Sequence, residues 1–313
     1  MNFRVGVLVA TRNRPEEIRK LLSSLVSQQI SQVVISASGS NIEYVIDEFK
    51  SRMELSYVHS EPGQIKQKIN GLRAFTKDLD WVIFSDDDLI YPPDFFLKFS
   101  ETLTSADRQG LIGVGFKIGN AAVLQERLGV RIFKRVFLLK GRNPGSVNRS
   151  GECVPYCYGE LKISTEWLNG ASAWKAEYAH TYSSIAPDTK YAAYEDAIFS
   201  YELSRAGNLM YFPNLQIQYQ DPFSLTQFSS LSYQSYTLWK LYFVIKFEFS
   251  LIQYIWSTLG LSIIFGFNPG TNEKLGQKLT TIKETWKCIF LVLTSNSREA
   301  SVNEIIRCQL PKA

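Results

Sequence analysis

Three consecutive carboxylates, Asp86, Asp87 and Asp88, follow directly on Trp81 to Ser85 in "WVIFSDDDLIYPP". The preceding run reads as a buried strand, so the three acids stand at the end of an element that belongs to a core. Adjacent like charges repel, and any burial raises the cost of ionising them. No basic residue follows until Lys98. Stability alone gives no reason for such a triplet, whereas a bound cation would remove the repulsion. Hard divalent ions such as Mg2+ and Mn2+ take oxygen ligands, and Mg2+ commonly takes one or two carboxylates together with substrate phosphates. The carboxyl ends of strands are also where open α/β sheets bind ligands. The bland alternative is an acidic, solvated strand-to-loop turn.

The elements that must position this triplet alternate in the α/β manner. "VGVLVA" (Val5 to Ala10) reads as a buried strand. A helix follows, with Pro15 and two glutamates in its first turn and Ile18, Leu21, Leu22 and Leu25 at helical spacing. "QVVIS" and "ELSYVH" read as further strands, and "GQIKQKINGLRAF" as a helix with Ile65, Ile69, Leu72 and Phe75 inward. After the acidic strand, a helix from Asp94 carries Phe95, Phe96, Phe99 and Leu103 on one side. This order predicts a mainly parallel sheet flanked by helices.

From Arg127 to Gly151 there is no acid, while Arg127, Arg131, Lys134, Arg135, Lys140, Arg142 and Arg149 all occur. An amphipathic strand pair with a solvated basic face is the plain expectation. The sharper one is a surface that meets anionic lipid or a pyrophosphate-bearing acceptor. Phe249 to Phe267 is nineteen residues without a charge, close to the roughly 20 that span a bilayer. Its serine, threonine, glutamine and glycine, and the lysine-rich tail behind it, favour helices lying in a membrane interface over a buried hairpin, and both over a span.

The chain has 313 residues, 45% of them apolar, and a net charge of +4. It is long enough for one large or two ordinary domains, and the mild charge does not suggest nucleic acid. Cys153 and Cys157 form a C-x3-C pair with no histidine near, which argues against zinc. Free thiols and an N-terminal apolar run too short for an export signal point to the cytoplasm.

With the triplet placed, other segments line up. "VLVATRNRPEEIRKLLSSL", "EPGQIKQKINGL", "SDDDLIYPPDFF", "WLNGASAWKAE" and "YEDAIFSYELSRAG" occur in this order. Together they resemble glycosyltransferase family 2, the inverting nucleotide-sugar enzymes of the GT-A fold. The likeness spans roughly residues 3 to 225. It implies a GT-A domain over 1-225; a helical, membrane-associated region over 226-313 is expected from the aromatic C-terminus and the basic stretch, not from these motifs. "SDDDLIYPPDFF" looks like the family's DxD-type motif. By that likeness Asp88 and Asp86 are metal ligands for Mn2+ or Mg2+, and Asp86 and Asp87 lie at the donor. Thr11, Arg12, Arg14 and Lys66 are expected near the diphosphate. In the pair Glu195–Asp196, Asp196 is the expected general base and Glu195 its neighbour, although both also suit the start of a helix. Gly170 and Trp167 are expected on the acceptor side, with Trp167 and Trp174 as a sugar-stacking wall.

Two departures stand out. Where the family ends its second strand with an aspartate that reads the base, this chain has Ser36, Ala37 and Ser38. A uracil base is therefore less secure, with Asn41 or Glu61 as substitutes. Where many members supply a late histidine to the metal, the chain has Gln218, Gln220 and Asp221, so Asp221 is expected to complete the shell. His59 and His180 are left as surface or structural residues.

The leading expectation is a metal-dependent transfer of a sugar from a nucleotide-sugar donor to a saccharide or lipid-linked acceptor, in envelope polysaccharide synthesis at the inner face of the cell membrane. The competing ones are a degenerate relative that binds without turnover and a sugar nucleotidyltransferase. The latter lacks its glycine-rich loop in "ATRNRPEE".

Overall fold

The computed structural model describes residues 3–106, 110–120, 127–184, 189, 192–221, 228–268 and 273–310. Strand β1 (Val5–Arg12) is apolar on both faces because helices cover both sides of the sheet. Helix α1 (Pro15–Leu25) begins at its proline and turns Ile18, Leu21, Leu22 and Leu25 inward. Strand β2 (Gln32–Ser38) is buried throughout. After α2 (Glu43–Asp47) and β3 (Leu55–His59) comes α3 (Gln64–Arg73). Gly71 lets α3 lie close on β1: a Cβ there would stand 2.2 Å from Leu8 Cδ1.

Strand β4 (Trp81–Asp86) carries the first acid of the triplet as its last residue, and β5 (Leu89–Ile90) follows at once. Helix α4 (Phe95–Ala106) packs Phe95, Phe96, Phe99 and Leu103 inward, as their spacing predicts. Next come β6 (Leu111–Ile118), α5 (Leu128–Val136), β7 (Ile163–Thr165), β8 (Ser172–Lys175) and α6 (Ala176–Ala179). Helix α7 (Glu195–Leu203) and the long strand β9 (Asn208–Tyr219) complete the sheet domain.

Among the described residues nine strands form one sheet in the order β3-β2-β1-β4-β8-β6-β9-β5, with β7 on β9. Strands β3, β2, β1 and β4 are parallel, β8 runs against β4 and β6, and β9 runs with β6. The carboxyl ends of β1, β2 and β4 therefore open on one edge, which is where the triplet stands.

Four helices follow: α8 (Ser230–Lys246), α9 (Leu251–Phe267), α10 (Leu275–Thr294) and α11 (Arg298–Gln309). They share the core of the sheet domain, since Phe243 of α8 meets the rings of Tyr194 and Tyr201. Among the described residues no helix is long and apolar enough to cross a membrane. The expected domain boundary at 225 lies outside the described residues.

One expectation fails. The basic stretch was expected as a strand pair, but Leu128–Val136 is helix α5. Leu128, Ile132 and Val136 recur every fourth residue, which is a helical and not an alternating period.

Candidate active site

The pairing of β1 with β4 sets Ala10 beside Asp86, so the loop after β1 lies against the triplet. There Thr11 Oγ1 donates to Asp87 Oδ2 at 2.7 Å, and Arg14 Nη1 donates to Asp87 Oδ1 at 2.6 Å. Arg14 also lies 3.5 Å from Asp88 Oδ2. The middle acid is thus turned back and held by the β1 loop. Burial pushes the Asp87 carboxyl up to about 6, against the opposing pull of Thr11 and Arg14. Burial also pushes Asp86 up to about 6, with Lys68 opposing and Asp88 and Glu195 adding to the rise.

Asp88 is arranged differently. Its Oδ1 is buried with no hydrogen-bond partner among the described residues. Gln220, just past β9, donates its backbone N–H to Asp88 O at 2.7 Å. The Gln220 Nε2 donates to Glu17 O at 2.9 Å and Asp87 O at 3.1 Å, tying α1 to the acidic turn. Its Oε1 is a second buried oxygen without a partner among the described residues. Buried polar atoms are normally paired, so two orphaned acceptor oxygens on neighbouring backbone segments fit a cation or a donor group supplied by a ligand.

Among the described residues, no group of three or more His, Cys, Asp or Glu could by itself hold a metal. Asp86 and Asp88 suit an ion shared with substrate phosphates rather than one caged by protein. Asp221 is exposed, one residue beyond Gln220 at the same end of the sheet.

The second carboxylate pair enters from α7. Glu195 is only 4% exposed and meets Lys68 Nζ at 3.2 Å. Asp196 is half-buried and accepts from Ala197 N–H at 2.7 Å. Burial first, and then the charge of Glu195, push the Asp196 carboxyl up to about 8, while Lys68 holds it down. The charge of Asp86 adds to the rise. A small, largely apolar cavity beside Asp196 is lined by Lys68, Phe84, Asn169, Gly170, Trp174 and Tyr182. Gly170 also neighbours Asp86, since a Cβ there would lie 3.5 Å from Asp86 Oδ1.

Lys68 is the residue that sequence reasoning missed. Burial opposes its charge, but Tyr182, Glu195, Asp86 and Asp196 outweigh burial and raise its pKa. It also sits over the rings of Phe84 and Tyr182, at 5.5 and 5.2 Å. The available signal was spacing: Lys68 lies three residues after Ile65 and four before Leu72, on the inward face of α3. Lys66, expected at the diphosphate, is paired with Glu61 at 2.9 Å on the outside, and Arg12 is exposed at the end of β1.

Other expected residues sort plainly. Trp174 is 1% exposed and packs on Phe199, so it is core and not a stacking wall. Trp167 is half-buried, donates to Val154 O at 3.2 Å and packs edge-on against Tyr156. His59 and His180 are exposed.

At the end of β2 the hydroxyls of Ser36 and Ser38 are buried without partners among the described residues. Buried Gln67 bridges this strand end to the first, donating to Thr11 O at 2.6 Å and Ser36 O at 2.9 Å. Asn41 accepts from Glu43 N–H, and Glu61 is engaged by Lys66.

Residues 6–158 match the family described as Glycosyl transferase family 2. The chain is similar in structure to the mannosyltransferase PcManGT of Pyrobaculum calidifontis, solved in complex with GDP-Man and Mn2+. The TM-score is 0.53 and the identity 14%, over 96% of this chain and 79% of that one. It is also similar to S. aureus TarS 1-349 in complex with UDP-GlcNAc, with TM-score 0.52 and 14% identity over 97% of this chain and 82% of that one. At such identities the likeness speaks for the fold. No curated protein matches the chain significantly in sequence. The family match over residues 6–158, just under half of the chain, and the GT-A fold support a glycosyltransferase of family 2.

Proposed function

We propose that the chain moves a sugar from a nucleotide-sugar donor to a hydroxyl of a saccharide or lipid-linked acceptor, with inversion and with help from Mn2+ or Mg2+. The supporting observation is that Gly170 lines a cavity with Asp196 and stands beside Asp86, whose charge is felt at Asp196. The donor class is the one bound in the mannosyltransferase and TarS structures.

Asp86 and Asp88 would hold a divalent ion, with the unpartnered Gln220 Oε1 close to Asp88. An ion bound there supplies Lewis-acid stabilisation of the departing diphosphate. Arg14 and Thr11 fix Asp87 and keep the acidic turn in shape. Asp196 faces the sugar from the opposite side and takes the proton of the acceptor hydroxyl as that oxygen attacks. Lys68 and Glu195 set the basicity and position of Asp196. Gly170 keeps side-chain bulk away from Asp86, since a Cβ there would lie 3.5 Å from Asp86 Oδ1. The acceptor belongs to envelope polysaccharide synthesis and is met at the inner face of the cell membrane.

The test is a panel of nucleotide sugars, each with and without Mn2+, read by thermal unfolding and by release of nucleoside diphosphate. One donor is expected to raise the Tm with Mn2+ and to be turned over. A panel with no metal-dependent protection would sink the proposal.

A further inference from the structure

Helix α9 has its polarity reversed. None of its residues is charged. Its outward stripe is Ile252, Trp256, Leu259, Ile263 and Phe267, with Ile252 81% and Phe267 82% exposed. Its inward side carries hydroxyls. Ser257 Oγ accepts from Lys240 Nζ at 3.2 Å, and Ser262 Oγ pairs with Tyr233 Oη at 2.7 Å and accepts from Trp286 Nε1 at 3.1 Å. A helix facing water on its outer side shows the opposite arrangement. The start of α10 repeats it: Lys278 is buried and donates to Asn268 O, while Leu275 and Leu279 are exposed.

Helix α5 extends this face. It lies on α9 through Phe137, which stacks on Trp256 at 4.7 Å, while Trp256 Nε1 donates to Val136 O at 2.7 Å. Gly260 makes the contact close, since a Cβ there would stand 2.3 Å from Phe137 Cβ. Leu128, Ile132 and Val136 are exposed along one edge of α5, at 69, 53 and 55%. Arg131 and Arg135 lie beside that edge, with Arg127 and Lys134 next to them. An apolar stripe of this length is uncommon on a surface that meets only water.

We infer that the outer stripe of α9 and the apolar edge of α5 form a docking surface for an anionic lipid bilayer, with the α5 arginines at the headgroups. The apolar side chains enter the interface while the cations meet lipid phosphate. Charge complementarity selects a bilayer over a second copy of this chain. A second copy would bring the same arginines to a face whose residues 127 to 151 hold no acid to receive them.

Lys134 lines a cavity with Lys140, Glu152 and Cys153. Burial, and then the charge of Asp196, raise the pKa of the Cys153 thiol. Docking accords with an acceptor met at a membrane, but it is read by lipid binding, so loss of docking and loss of turnover are separate outcomes.

The test is co-sedimentation of the full chain with vesicles of phosphatidylglycerol and phosphatidylcholine in equal parts, against phosphatidylcholine alone. The wild type is expected to pellet with the anionic vesicles and to be released by salt. The double variants Ile252→Glu/Phe267→Glu and Arg131→Glu/Arg135→Glu are each expected to weaken partition by about ten-fold or more. These side chains are exposed, so the melting curves should match wild type and confirm the fold. A wild type that stays in the supernatant overturns the inference, and so does either double variant binding as wild type does. A dimer in sedimentation that Ile252→Glu/Phe267→Glu dissociates, with no lipid binding, overturns it in favour of a second copy.

Discussion

Lys68 Nζ and Glu195 Oε1, 127 residues apart in the chain, meet at 3.2 Å with each side chain only 5% exposed. The pair joins α3 to the first turn of α7, where Glu195 precedes Asp196 in sequence. Breaking a buried ion pair by removing one partner typically costs about 3–5 kcal/mol, because the other charge is left unpaired. Lys68→Met should cost that order of stability, measured by urea denaturation. Lys68→Met/Glu195→Gln should recover part of the loss. A single variant as stable as wild type would show that the pair does not hold the two helices together.

The same neighbours set the proton affinity of Asp196. Its carboxyl lies at about 8, against an ordinary value near about 4. In the empty enzyme it is therefore protonated at neutral pH, and kcat/KM should rise with pH through about 8. Glu195 raises the value, so Glu195→Gln should shift the profile to lower pH. Lys68 lowers it, so Lys68→Met should shift the profile upward. Opposite shifts separate this arrangement from a merely structural one, which would move neither profile.

Stability carries the same signature. Between about pH 4 and about 8 the folded chain binds more protons at Asp196 than the unfolded chain. Its contribution is full below about pH 4 and is lost as pH rises through about 8. Asp196→Asn should remove this slope, so its stability relative to wild type should grow between pH 5 and pH 9. Equal slopes in the two proteins would refute the raised carboxyl. The same variant should lose turnover by about 10^2 to 10^4 while keeping donor binding.

Much of this site was legible in the sequence, for local reasons. The acidic triplet follows a continuous apolar run, and α1 begins at a proline with two glutamates. The rest depends on contacts that sequence spacing does not carry. Asp87 is held by Arg14 from 73 residues away, through the register of β1 on β4. The inward face of α9 is chosen by Lys240, Tyr233 and Trp286 on other helices, so its lack of charge could not reveal which side faces out. In α5 the four-residue recurrence was visible, but the alternation of basic and apolar pairs masked it.

Gly39 tests how firmly the base-side loop is held. It adopts φ +84°, and a Cβ there would stand 2.2 Å from Asn13 Oδ1, which accepts from Ser40 N–H at 2.7 Å. Left-handed backbone costs a residue with a Cβ about 1–2 kcal/mol. Gly39→Ala should cost at least that much stability and displace Asn13, weakening nucleotide binding as read by calorimetry. Wild-type stability in this variant would show that the loop relaxes freely.

The three acids of the triplet should separate by experiment, because only one of them is held by the β1 loop at close range. Asp87 receives Thr11 at 2.7 Å and Arg14 at 2.6 Å. Asp87→Asn removes its charge and leaves Arg14 without its nearest partner, so it should lower stability by about 1–3 kcal/mol whether or not metal is present. Asp88 keeps a buried Oδ1 with no partner among the described residues. Asp88→Asn relieves charge crowding beside Asp86 and Asp87, whose carboxyls it pushes up, so it should leave stability unchanged or raise it. Its cost should fall on the ligand: Mn2+-dependent protection by a nucleoside diphosphate should shrink at least about ten-fold in apparent affinity. Calorimetry with and without Mn2+ on both variants decides the matter. If Asp88→Asn binds nucleotide and Mn2+ as wild type does, the open oxygen serves no ion and the metal assignment to this turn fails.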